Sequence, residues 1–127
     1  MRSFPFVLLV LLAGGCANQP KTASGDVPEL IQQLESGDDS LRASAAEVLG
    51  DRGPEAKAAV PALTLALRDE YELVREHAAE TLGQIGPDAR AAVPALRLAA
   101  QDGVPQVREA ALEALRRIDT KPAKGGL

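Results

Sequence analysis

Apolar side chains recur along this chain at helical spacing, and the recurrence itself repeats. Two stretches place apolar residues at 74, 78, 82 and 85, and at 107, 111, 115 and 118. Steps of three and four residues put such positions on one stripe of a helix. Shorter stretches start at Val27-Pro28, Val60-Pro61 and Val93-Pro94, with apolar pairs such as Leu63 and Leu67 four apart. Proline suits the first helical turn, because the N–H it lacks would have no partner there. The pattern predicts a short helix from each of Pro28, Pro61 and Pro94. A turn follows around Gly37-Asp38-Asp39, Asp69-Glu70-Tyr71 or Asp102-Gly103-Val104, and then a longer helix. Gly50 and Gly83, with Gly53-Pro54 and Gly86-Pro87 behind them, are expected to stop the long helices.

The elements repeat with a period of 33 residues. Leu41 aligns with Val74 and Val107, Arg42 with Arg75 and Arg108, Ala45 with Ala78 and Ala111, and Leu49 with Leu82 and Leu115. Leu30, Leu63 and Leu96 fall in one column as well. The chain therefore predicts an all-α fold, a short α-solenoid of about three helix pairs, each burying its apolar face against its neighbours. The end pairs then need polar outer sides. The first helix offers Gln32, Gln33 and Glu35; the last long helix carries Arg116 and Arg117 but also Leu112, which leaves weak self-association through that edge open.

At these columns the chain resembles bacterial HEAT-like repeats of the class related to phycobilin-lyase repeats. The carriers are Val-Pro-Ala-Leu at 60–63 and 93–96, Val-Arg-Glu at 74–76 and 107–109, and Leu-Gly-x-x-Gly-Pro at 49–54 and 82–87. The resemblance covers residues 27 to 119. The 33-residue ankyrin signature Thr-Pro-Leu-His is absent. The resemblance implies a right-handed stack of antiparallel helix pairs whose second helices line a concave side. It also implies a structural inter-repeat ladder of Asp69, Arg75, Asp102 and Arg108, incomplete in the first unit, where Ser36 replaces the Asp.

The chain's start reads differently. Arg2 is a positive leader residue, Phe6 to Ala13 is an unbroken apolar run, and Gly14-Gly15 are small residues before Cys16. That is the layout of a secretion signal, and the run is too short for a spanning helix of about 20 residues. Leu12-Ala13-Gly14-Gly15-Cys16 resembles a bacterial lipoprotein signal, which implies lipidation of Cys16 and anchoring by buried acyl chains. The expected organisation is a signal peptide at 1–15, the lipidated Cys and a flexible tether at 16–26, a repeat domain at 27–119 and a disordered tail at 120–127. The expected location is the cell envelope, on the periplasmic side of the outer membrane if the cell is Gram-negative.

Composition narrows the chemistry. Alanine and leucine dominate while aromatics make up 2%, which favours helices over strands. A formal net charge of −4 gives no footprint for nucleic acid. One Cys and one His cannot build a Cys/His zinc site or a disulfide framework. No nucleophile elbow, phosphate loop or zinc-helix motif occurs, and the sole imidazole, His77, reads as a structural side chain. The expectation is a non-enzyme with no cofactor and no metal.

One polar pattern remains. Glu47, Glu80 and Glu113 recur at the repeat spacing, and Glu76 and Glu109 lie one helical turn before the last two. On the second helices these five form an acidic stripe, readable as a docking surface for a partner's basic segment or as a solvated face. The function that follows is a membrane-tethered protein–protein interaction scaffold or adaptor. The alternatives are a bilin lyase-like accessory protein and a self-associating structural envelope lipoprotein.

Overall fold

Each Val-Pro step opens a short helix. In the computed structural model, which describes residues 22–120, these are α1 (Val27–Gln33), α3 (Val60–Ala66) and α5 (Val93–Ala99). In each the proline sits in the first turn, where its missing N–H leaves no bond unmade. The long helices are α2 (Asp39–Asp51), α4 (Glu72–Ile85) and α6 (Pro105–Thr120). Short and long helices alternate as three pairs, giving the all-α solenoid that the period predicts.

The junctions between pairs depart from the expectation. Gly50 and Gly83 stop nothing; they lie inside α2 and α4. The chain turns three residues later, at Gly53 (φ 56°) and Gly86 (φ 82°), where a side chain would be strained. From there it winds into two 3-10 helices, Gly53–Ala59 and Gly86–Ala92, that the pattern of apolar positions did not announce. Their apolar contribution is Ala56, Ala59, Ala89 and Ala92, all fully buried. Residues this small are weak signals in a hydrophobic pattern, yet they let the connectors pack flat beneath the long helices.

Polar caps set the helix starts. Asp26 and Glu29 form a capping box on α1, each side chain accepting the other's backbone N–H at 3.1 and 3.2 Å. Asp38 caps α2 by accepting from Ser40 and Leu41. The core then runs the length of the stack, because the repeated apolar columns are buried in every copy: Leu30, Leu63 and Leu96; Ala45, Ala78 and Ala111. The column of Leu49 and Leu82 is buried as well, whereas Leu115, in the last helix, is only half covered.

The expected tether needs correction at its end. Ala23 is buried, and its N–H donates to Ser44 Oγ at 2.8 Å. Ser24 exchanges two hydrogen bonds with the Gln33 side chain, and the Gly25 carbonyl accepts from Arg52 at 2.7 Å. These bonds tie residues 23–26 across the outer side of the first pair, so that stretch acts as a strap. The leader, Cys16 and residues 121–127 lie outside the described residues.

Candidate functional site

The three long helices lie side by side, α2 against α4 and α4 against α6. Small residues set how closely they approach. A Cβ at Gly83 would stand 2.9 Å from Ala114 Cα, and one at Gly50 would stand 2.8 Å from Thr81 Oγ1. Thr81 is itself buried, and its hydroxyl donates to the Ala46 carbonyl across the α2–α4 joint at 2.6 Å. A polar residue at the centre of an apolar joint is thus satisfied and fixes the register.

Two grooves run along this layer. The one between α4 and α6 encloses about 280 Å³, with Glu76, Glu80, Glu109 and Glu113 around a floor that includes Gly83 and Ala114. The second, between α2 and α4, encloses about 240 Å³ and is lined by Glu47, Asp51, His77 and Glu80 among others. The five glutamates singled out in the sequence therefore divide between two clefts, with Glu80 on the ridge they share.

Their charges are not equivalent. Glu113 is held by Arg116 and by Arg117, the latter at 3.1 Å. The Arg116 hydrogen bond, then that of Arg117, holds the Glu113 carboxyl below its ordinary range. Glu47 and Glu80 flank the His77 ring, at 3.5 Å from Nε2 and 3.1 Å from Nδ1. His77 thus bridges α2 to α4 and serves the scaffold. Glu76 and Glu109 are different: among the described residues no Lys, Arg or His lies within ion-pair distance of either. At the α4–α6 groove, Glu76 and Glu109 are thus the carboxylates outside any ion pair, while the lining Arg117 is engaged by Glu113.

Arginine–aspartate pairs join the units at two places. Arg42 grips Asp69 in a two-pronged pair at 2.8 and 2.9 Å, and Arg75 grips Asp102 at 2.8 and 3.1 Å. Each pair joins one unit to the next, so Asp69 belongs with Arg42, a residue the ladder assignment omitted. Its alignment with Arg75 was the available signal. Each arginine also donates to the carbonyl six residues earlier: Ser36, Asp69 and Asp102 for Arg42, Arg75 and Arg108. Ser36 breaks no rung, since its hydroxyl accepts the Asp38 N–H just as Asp69 accepts from Tyr71 and Asp102 from Val104. Arg108 meets the Asp102 carbonyl but no carboxylate among the described residues.

Both acids are mostly buried, at 14% side-chain exposure. Burial pushes the Asp69 carboxyl upward, but the Arg42 hydrogen bond, the Tyr71 N–H and the charges of Arg42 and Arg75 together outweigh it and leave it lowered. The Arg75 hydrogen bond is the largest effect on Asp102; with the Val104 N–H it prevails over burial and lowers that carboxyl too. The Asp69 hydrogen bond raises Arg42 in turn. Groups locked in their charged forms by structural partners are poor proton shuttles, and this cluster orients the turns.

The HEAT repeats family matches residues 27–116. The chain belongs to that family. HEAT repeats in general mediate protein–protein interaction. Among solved structures, the chain is similar to human deoxyhypusine hydroxylase in complex with glycerol, with 34% identity and a TM-score of 0.64. The match covers 78% of this chain and 34% of the hydroxylase, so the chain spans about a third of that enzyme's length. No curated protein matches it. Among the described residues no three His, Cys, Asp or Glu side chains are grouped so as to hold a metal ion, and no helix is long and apolar enough to cross a membrane.

Proposed function

We propose that this HEAT-repeat chain is a non-enzymatic adaptor, held at a membrane surface through a lipid on Cys16, that docks a basic segment of another protein in the α4–α6 groove. The observation that carries the reading is the pair Glu76 and Glu109, two carboxylates that form no ion pair among the described residues, at the rim of a 280 Å³ cleft whose one lining cation, Arg117, is bonded to Glu113. A Lys or Arg side chain entering there gains complementary charge without displacing an existing ion pair. The floor of small residues admits an extended or helical segment close to the backbone. Tyr71 is the one aromatic among the described residues and is half-buried at a turn. An interface without aromatic anchors rests on charge and is of modest affinity.

The lipid anchor is supported by Arg2, the Phe6–Ala13 run and the small residues before Cys16. Export to the cell envelope follows from the same segment. The hydroxylase's activity is a property of that larger enzyme, of whose length this chain spans about a third.

The test is crosslinking capture of the tagged full chain from its own membranes, wild type beside Glu76→Gln/Glu109→Gln. These two are preferable to Glu47, Glu80 and Glu113, whose carboxylates already have partners in the fold. A protein held by wild type and lost by the variant, with binding that weakens as salt rises, supports the reading. The same capture by both forms refutes the groove.

A further inference from the structure

The last long helix, α6, presents a face that the described residues leave partly open, with Leu112 exposed and Leu115 half covered. In the earlier units the matching face is the joint with the next unit. There Arg42 and Arg75 reach the next carboxylate, Ala46 and Ala79 are fully buried, and Gly50 and Gly83 admit the neighbouring helix. In α6 the same columns hold Arg108, Leu112 and Arg116. Arg108 has no carboxylate partner among the described residues, and Leu112 is 48% exposed.

A further unit cannot stack here as the earlier ones do. At Gly83 a single added carbon already meets the next backbone at 2.9 Å, and α6 places an arginine in that column. Leu112 stands where Ala79 is buried. The face excludes a close joint but suits a wider helix–helix seam, in which leucines fill the space between axes about 8–10 Å apart.

Its pattern fits such a seam. Arg108, Leu112, Leu115 and Asp119 follow one another at steps of four, three and four. That alternation is a heptad stripe, the spacing at which two helices pack knobs into holes. The stripe is also complementary to itself when reversed. Laid antiparallel on a second copy, Arg108 falls opposite Asp119 of that copy and Leu112 opposite its Leu115, with Glu109 beside its Arg116. A parallel pairing sets Arg108 on Arg108 and Asp119 on Asp119, and like charges oppose it.

We infer that the chain self-associates as a two-fold dimer through α6, with Leu112 and Leu115 as the apolar centre and an Arg108–Asp119 pair at each end. Each contact occurs twice by symmetry, as an isologous interface requires. The seam leaves Glu76 and the groove floor untouched and takes in Glu109 only at its edge, beside the second copy's Arg116; the Leu112, Arg108 and Asp119 variants keep both docking carboxylates, so dimerisation and docking fail separately. Two stacks joined this way carry two acidic grooves, and a partner with two basic segments gains by avidity.

The test is sedimentation velocity of the full chain across a concentration series. One helix per partner buries less than the usual ~800 Å² a side, so the expected dimerisation is weak, with Kd on the order of 10–100 µM. Leu112→Glu is expected to weaken it at least tenfold with the helical CD signal unchanged. Arg108→Asp and Asp119→Arg are each expected to weaken it about tenfold, since each change creates two like-charge contacts. Combining them restores the pairing with its signs exchanged, to within roughly threefold of wild type. A wild-type chain that stays monomeric into the millimolar range overturns the inference. So does association untouched by Leu112→Glu, or failure of the double reversal to recover what the single changes lose.

Discussion

Gly83 is the sharpest point at which this fold can be probed. It lies in the last turn of α4, and a Cβ there would sit 2.9 Å from Ala114 Cα and 3.2 Å from Ala114 Cβ. The obstacle is backbone, so no rotamer change relieves it. Gly83→Val adds three carbons to that joint. Helix propensity favours valine over glycine by a few tenths of a kcal/mol. Overpacking a filled joint costs about 1–3 kcal/mol, and a backbone obstacle puts this site at the upper end. The expected net loss is about 2–3 kcal/mol. The wedge also separates α4 from α6, so the third unit uncouples and the denaturation slope falls. The chain has no tryptophan, so urea unfolding is followed by CD at 222 nm. Arg116→Val is the control, because it places the same residue in the same column of α6; there the change should stay within about 0.5 kcal/mol. A Gly83→Val protein within that margin of wild type refutes the packing argument and returns Gly83 to a local role in its own helix.

The ladder makes two further predictions and the α2–α4 joint a third. Asp102→Ala strands the mostly buried Arg75 guanidinium and uncaps the Val104 N–H; a loss of about 2–3 kcal/mol is expected in urea melts, with part recovered in Arg75→Gln/Asp102→Asn. Asp69 and Asp102 titrate lower folded than unfolded, so their contribution is intact above the ordinary aspartate pKa and disappears as pH falls through the folded value. Melting temperatures between pH 5 and pH 2 should therefore fall less steeply for Asp102→Asn than for wild type; parallel slopes refute the assignment. Thr81→Val keeps the shape of the α2–α4 joint but removes the bond to Ala46, and should cost about 1 kcal/mol in the same melts, an effect that is absent if the hydroxyl is incidental.

Much of the architecture is legible in the chain because a repeat states its core three times over. Leu30, Leu63 and Leu96, or Ala45, Ala78 and Ala111, announce a buried column by recurring at one spacing, and the columns are buried in every copy. The three Val-Pro steps mark helix starts for a purely local reason, the missing proline N–H. What a residue does within its own helix or turn is readable from its neighbours in sequence. The acidic residues of the long helices were visible for the same reason.

Only the folded arrangement decides what those residues meet. Gly50 and Gly83 look like helix stops in sequence; the structure makes them contact points, because their lack of a Cβ matters only once the next helix lies against them. Arg75 sits six residues after Asp69, yet its guanidinium reaches Asp102, 27 residues on, since stacking brings the next turn closer than its own carboxylate. Residues 23–26 look like tether until Ser44, Gln33 and Arg52 supply bonds that no local pattern records. Glu113 resembles Glu80 in sequence, but Arg116 and Arg117 neutralise the first while His77 contacts the second. Periodicity is a property of one helix at a time and sets which side is buried; partners come from across the joints, and those exist only in three dimensions.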